Sequence, residues 1–262
     1  MQYADFENKV ALITGASGGV GLSVAKKLAA NGATVIINSR SPENGRQALE
    51  QLRSISQKVD FVAGDCGDYA AAVKVAEYAA RINGGIDVLV IAGVRGKVRP
   101  TPFAEMSGAD LVPAFESRLF ARIFPVHAAL PYLRVRGGAV VILGTDAARH
   151  ATSGESIIGA VGAAVILMTK VLAKEFARWN IRVNSVALTL TSGTPSWDRI
   201  FGVGGDNFDA KLFGKLAQRF PWGRAPTADE VARVAVFLAS SETAQVTGQT
   251  ISVNGGLSFG GW

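Results

Sequence analysis

Thr14-Gly15-Ala16-Ser17-Gly18-Gly19-Val20-Gly21 is the stretch on which the fold turns. Ahead of it, Lys9-Val10-Ala11-Leu12-Ile13 is a short apolar, β-branched run of the kind that forms a buried parallel strand. Behind it, Leu22 to Ala30 carries apolar residues at helical spacing and closes on Asn31-Gly32, a C-terminal stop. A second apolar run, Ala33-Thr34-Val35-Ile36-Ile37, follows at once. Strand, glycine loop, helix and strand make a βαβ unit. Glycines let the backbone turn sharply and approach a pyrophosphate, whose charge then sits at the helix N-terminus. A glycine triplet by itself equally marks a tight turn; its place between this strand and this helix selects the dinucleotide reading.

The rest of the composition agrees with one α/β domain. The chain has 262 residues, 48% of them hydrophobic and 18% charged, enough apolar side chain for a large core and too little charge density for disorder. No uninterrupted apolar run reaches the roughly 18 residues that span a membrane. Met1 to Asn8 is polar and acidic, unlike a signal peptide, so a cytoplasmic protein with no membrane partner is expected. The single cysteine, Cys66, excludes an internal disulfide. The formal charge of +6 comes from scattered residues without a Lys/Arg block, so no nucleic-acid partner is expected. No internal repeat, low-complexity tract, metal-ligand cluster or second domain is found.

The Thr-Gly-x-x-x-Gly-x-Gly spacing resembles the short-chain dehydrogenase/reductase (SDR) family, and the likeness covers nearly the whole chain. It implies a single Rossmann-type, doubly wound NAD(P)-binding domain over 1–262, with about seven parallel strands and helices on both faces. Gly15, Ser17, Gly19, Val20 and Gly21 become the expected loop contacts to the cofactor. The second strand ends in Asn38-Ser39-Arg40, where NAD users of the family carry an acidic residue for the ribose hydroxyls. Ser39 holds that place here, and Arg40 can clamp a 2′-phosphate with no carboxylate to repel it. NADP(H) is therefore expected in preference to NAD(H); a surface arginine in a turn is the alternative.

After a polar helix over Ser41–Gln57, the strand Val59–Ala63 leads to Gly64-Asp65-Cys66. The resemblance places Asp65 and the Cys66 amide at the adenine. Helix capping is the other role open to Asp65, and Asp68 could equally fill it. A helix over Tyr69–Arg81 and a strand over Asp87–Gly93 follow. Where the family reads Asn-Asn-Ala-Gly, this chain has Val90-Ile91-Ala92-Gly93: the small pair Ala92 and Gly93 stays and both asparagines are lost. The next loop is basic through Arg95, Lys97 and Arg99, which either meet an anionic substrate or remain solvated.

The departures gather at the catalytic positions. A long helix is expected over Asp110–Leu133, with Pro113 and Pro125 as bends, and a strand over Gly138–Gly144. Thr145 stands where the family has its catalytic serine, and Ser117, 28 residues earlier, stands at the helix asparagine with Arg118 beside it. Registering the helix Ile157–Trp179 on the strand that follows puts Ile158 at the catalytic tyrosine and Gly162 at the lysine. No tyrosine occurs after Tyr132, and Lys170 lies eight residues past Gly162, more than two helical turns away. In carbonyl reduction the phenol gives a proton to the developing alkoxide, and the ammonium tunes it towards neutrality. Isoleucine and glycine can do neither. Glu155, three residues before Ile158, His150 and Asp146 are the candidate substitutes, and the Thr145 hydroxyl can still polarise a carbonyl. Helix capping, a loop role and a backbone contact are their plain alternatives.

Beyond Ala187 the family's Pro-Gly is replaced by Leu188-Thr189, and Thr191 is the hydroxyl assigned to the cofactor. The segment 191–221, with Trp197, Phe201, Phe208, Phe213 and the glycines Gly202, Gly204 and Gly205, reads as a substrate lid or as plain core packing. Thr227 and Glu230 stand at capping-box spacing ahead of a helix to Ser240, and Thr247 to Gly256 resembles the family's last strand and turn. The resemblance further implies a homo-oligomer, tetramer or dimer. Two functions follow: an NADP(H)-binding oxidoreductase with a non-standard active site, acting on a carbonyl or on an enoyl substrate such as an acyl-thioester, or a non-catalytic SDR-fold protein serving as a partner subunit. Family members that reduce dienoyl-thioesters in some cases dispense with the usual pair.

Overall fold

A single parallel sheet organises the molecule in a computed structural model that describes residues 4–94, 99–202 and 208–259. Its seven strands are β1 (Val10–Thr14), β2 (Thr34–Ser39), β3 (Val59–Ala63), β4 (Val88–Ile91), β5 (Gly138–Thr145), β6 (Ile181–Leu188) and β7 (Thr250–Val253), in the order β3-β2-β1-β4-β5-β6-β7. The helices between them are α1 (Gly19–Ala30), α2 (Pro42–Arg53), α3 (Tyr69–Ala80), α4 (Gly108–Leu133), α5 (Ser156–Phe176), α6 (Pro195–Phe201), α7 (Phe208–Ala217) and α8 (Ala228–Ala239). This is the doubly wound α/β fold that the sequence leads one to expect.

The strands are apolar on both faces because both are covered. Along β1, Ala11 and Ile13 join one core cluster with residues of α1, α2 and α8, while Val10 and Leu12 join another with residues of α3, α4 and α5. Each fully buried Leu or Ile there contributes roughly 1.5–3 kcal/mol. At the N-terminal edge, buried Asp87 accepts hydrogen bonds from Val10 N (2.8 Å) and from Arg136 Nε and Nη2 (2.9 and 2.8 Å), tying β1 to the start of β5. The guanidinium and the backbone amide hold the Asp87 carboxyl below its ordinary range despite its burial.

Helix ends follow local chemistry. The Ser41 hydroxyl caps α2 with Pro42 in its first turn, but α2 stops at Arg53, short of Gln57, where the Ser54 and Gln57 side chains take the last carbonyls. Ser107 caps α4, so that helix starts at Gly108 and runs unbroken through Pro113, Pro125 and Pro131. Thr227 and Glu230 form the expected capping box on α8. Counting uninterrupted apolar residues passes over one stretch: Ser156–Trp179 is by length and composition apolar enough to cross a membrane. In this fold it lies along β5 and β6, with Val165, Ala173 and Phe176 in the core.

Candidate active site

The chain winds from β1 to β3 in one direction and from β4 onward in the other, so a crevice opens at the carboxyl ends of β1 and β4, the usual ligand position in such sheets. Gly15, at φ +68°, packs so closely on the end of β4 that a Cβ there would lie 2.2 Å from Gly93 Cα. A Cβ on Gly21 would lie 2.5 Å from Gly15 O and 3.1 Å from Ala92 Cβ. Bare backbone at these positions leaves the N-terminus of α1 open to the crevice, as a pyrophosphate requires. Ala92 and Gly93 thus serve as the floor under the glycine loop, and Ser17, Gly19 and Val20 line the cavity beside it. That cavity, of about 1150 Å³, reaches from Arg40 past Thr145 and Glu155 to α6 and α7. It is large enough for a dinucleotide and a small substrate.

At the β2 end, Arg40 is exposed and lines the cavity, while the Ser39 hydroxyl accepts from Ser41 N (3.3 Å) and shapes the turn. Asp68 caps α3 (2.8 Å from Ala71 N), so the capping role falls to it; Asp65 accepts from Gly67 N (2.9 Å) and keeps its place on the cavity wall. Cys66 also lines the cavity, but its thiol donates to Asn38 Oδ1 (3.2 Å), and burial together with Asp65 pushes its pKa up to about 12. It is an inert wall, with Asn38 bridging it to the carbonyls of Val62 and Gly64.

The catalytic end differs more from expectation. Thr145 sits at the end of β5; its hydroxyl oxygen accepts from Ala147 N (3.3 Å), which leaves its proton for the cavity. Ile158, 7% exposed, lines the same wall. A Cβ on Gly162 would lie 2.6 Å from Thr145 Cγ2 and 2.8 Å from Ala148 Cβ, so the space in which a lysine side chain would start is filled. Ser117 is displaced from its expected role: its hydroxyl donates to Ala114 O (3.1 Å) within its own helix, and it does not line the cavity. Asp146 is also corrected. Ser252 (3.1 Å), Asn254 (2.8 Å) and Ser258 all donate to its carboxylate, which therefore fastens β5 to the C-terminal turn.

Glu155 and His150 both face the cavity. Glu155 stands at the N-terminus of α5 without capping it, half-buried, and burial raises its pKa to about 7 even though the Arg118 charge opposes the shift. The His150 Nε2 atom is buried without a hydrogen-bond partner among the described residues. Thr191 lies on the wall with its hydroxyl proton given to Thr189 O (2.8 Å), so towards a ligand it can only accept.

From the sequence Arg118 was noted only as the neighbour of Ser117, and Arg122 not at all. Arg118 and Arg122, one turn apart on α4, both line the cavity. Arg122 is buried, donating from Nε to Leu143 O (3.1 Å) and from Nη1 to Arg118 O (2.6 Å). Burial lowers its pKa to about 10, and the like charge of Arg118 adds to the shift. A like-charged i, i+4 pair on the stripe shared with Ala114, Ala121 and Pro125, all buried, was the available signal. From the segment 191–221, α6 and α7 contribute Trp197, Arg199, Ile200 and Phe213 to the wall, with the Trp197 and Phe201 rings tilted at 49° and their centroids 4.4 Å apart. Arg95, Lys97, Gly204, Gly205 and the Phe208 side chain lie outside the described residues.

Fold and crevice together are those of a Rossmann-type, doubly wound α/β protein with its ligand crevice at the switch point of the sheet. Residues 15–258 match the family model described as enoyl-(acyl carrier protein) reductase. The 3-oxoacyl-[acyl-carrier-protein] reductase FabG of Thermotoga maritima is 33% identical over 252 residues, covering 96% of this chain and 98% of that protein. FabG of Escherichia coli K12 is likewise 33% identical, over 97% of this chain and 98% of its own. Among solved structures, an NADPH-bound short-chain oxidoreductase from Pseudomonas aeruginosa PAO1, described as containing an atypical catalytic center, superposes with a TM-score of 0.88 at 30% identity, covering 99% of each chain. The chain belongs to the short-chain dehydrogenase/reductase family of oxidoreductases.

Proposed function

We propose that this protein is a cytoplasmic NADP(H)-dependent reductase of small carbonyl or enoyl substrates, acyl-thioesters among them, in which Glu155 gives the proton that a tyrosine gives elsewhere in the family. The cofactor, held by Gly15, Ser17, Gly19, Val20, Arg40 and Asp65, supplies the hydride when bound. What the chain must add is a proton source and a group to polarise the substrate oxygen. The observation that carries the reading is Glu155: a carboxyl raised to about 7 beside Arg118, on the wall shared with Thr145 and Ile158. A group at that value is about half protonated near neutrality, so it can give up a proton and recover it from solvent. Arg118 steadies the carboxylate that remains. Thr145, its oxygen already accepting from Ala147 N, points its proton at the substrate oxygen.

The NADP(H) preference rests on Arg40 with Ser39 in the acidic position. Calorimetric titration with NADPH and with NADH tests it: NADPH binds more tightly, and Arg40→Ala lowers NADPH affinity roughly ten- to hundredfold, the strength of a charge-assisted contact, with NADH unchanged. A carbonyl and enoyl panel then reads turnover. The filled space at Gly162 supports a second reading, a partner subunit that binds NADP(H) without turning over; tight NADPH binding with no turnover on any substrate would favour it.

A further inference from the structure

Resting on that reading, we propose that the substrate carries an anionic group, a carboxylate or its charge equivalent, and that Arg199 on α6 is its receptor, facing Arg118 across the substrate end of the cavity. Helix α6 is held in one register: Trp197 N donates to Thr194 Oγ1 (3.2 Å), Thr194 Oγ1 donates to Thr191 O (2.8 Å), and Ile200 is 5% exposed against the protein. This presents Trp197 and Arg199 to the cavity. Arg199 lies close enough to Arg118 for the two like charges to oppose each other, against the larger effect of Glu155, which favours the Arg118 charge. Among the described residues it forms no ion pair, and its neighbour Asp198 does not line the cavity.

The surrounding charge points the same way. Arg118, Arg122, Arg199 and Arg219 line the cavity, whereas the described carboxylates on the wall are differently engaged. Asp146 is consumed by Ser252, Asn254 and Ser258, Asp65 belongs to the β3 end, and Glu155 resists ionisation. Bringing two guanidiniums together in a partly dry cavity is unfavourable until an anion lies between them. A neutral ketone or ester brings no charge to Arg199, which has no ion-pair partner among the described residues. A substrate anion is one source of the charge. The cofactor pyrophosphate is the other, because α6 begins at Pro195, whose Cδ lies 3.3 Å from the Cβ position of Gly19.

Calorimetry on the full chain loaded with NADP⁺ separates the sources without turnover. The probes are 3-oxobutanoate and 3-oxobutanamide, which differ in the charge alone. The acid is expected to bind about tenfold or more tightly than the amide, Arg199→Lys to keep the preference, and Arg199→Ala and Arg199→Glu to erase it with NADP⁺ affinity unchanged. Glu155→Gln is expected to keep the preference while failing to reduce, which sets this proposal apart from the proton-donor reading. Equal binding of acid and amide to the wild-type protein would overturn it. So would an unchanged preference in Arg199→Ala, or a loss of NADP⁺ affinity in that variant with the preference intact, which would assign Arg199 to the pyrophosphate. Absence of NADP⁺ binding to the wild-type protein would instead sink the reductase reading, and the acid–amide comparison would then be made on the unloaded chain.

Discussion

The two ends of one cavity have been built by opposite means. At the β1–α1 end, function resides in backbone: Gly15 and Gly21 meet Gly93, Ala92 and each other with no room for a side chain. At the β5–α5 end, the same closeness of packing leaves no space for a side chain on Gly162, where a Cβ would meet Thr145 and Ala148. The first gap opens backbone to a ligand, and on the proposed reading the second leaves the proton to another group. On the cavity wall there, the apolar Ile158 is accompanied by Glu155, Arg118 and His150. A cofactor cradle needs main-chain geometry, which tolerates few changes. A proton can come from any suitably placed acid.

Substitutions can break this contrast from either side. The largest effect belongs to Gly15→Val. Its Cβ would lie 2.2 Å from Gly93 Cα at a positive φ, so the loop must move. Calorimetry is expected to register no NADPH binding, with stability lowered by roughly 3 kcal/mol or more. Next comes restoration of the family pair, Ile158→Tyr with Gly162→Lys. The lysine Cβ meets Thr145 and Ala148 too closely, so the double variant is expected to lose stability, about 1–3 kcal/mol, and to gain no turnover. A gain would show that the tight Gly162 contact is not what keeps the pair out.

The smallest effect is on stability against pH. The folded-state pKa of Glu155 is raised from 4.5 to about 7, so the folded protein resists the ionisation that the unfolded chain undergoes freely. The stability it contributes is full below pH 4.5 and is lost as pH rises towards 7. Denaturant unfolding of Glu155→Gln is expected to gain on the wild type across that window and to run parallel above it.

Much of this was legible in the chain. The glycine loop, the seven strands and the capping of α2 and α8 follow from local pattern, because glycine geometry and apolar runs act over a few residues. Contacts at long range were not legible. Asp146 read as a candidate proton source beside Thr145 because its partners Ser252, Asn254 and Ser258 lie more than a hundred residues further on. Ser117 and Arg118 are adjacent, and only the rotation of α4 decides which of them faces the cavity. Arg122 drew no reading from the sequence; its bonds to Leu143 O and Arg118 O place it inside.

The pH dependence of NADPH oxidation, read on the best substrate of the carbonyl and enoyl panel for the wild type and for Glu155→Gln, goes to the centre of the account. With Glu155 as the acid, turnover is flat at low pH and falls tenfold per unit above about 7, as the carboxyl loses its proton. Glu155→Gln lowers kcat roughly 10²–10⁴-fold and removes that limb. A Glu155→Gln enzyme with wild-type kcat and the same falling limb would contradict it, and would place the proton elsewhere on the wall.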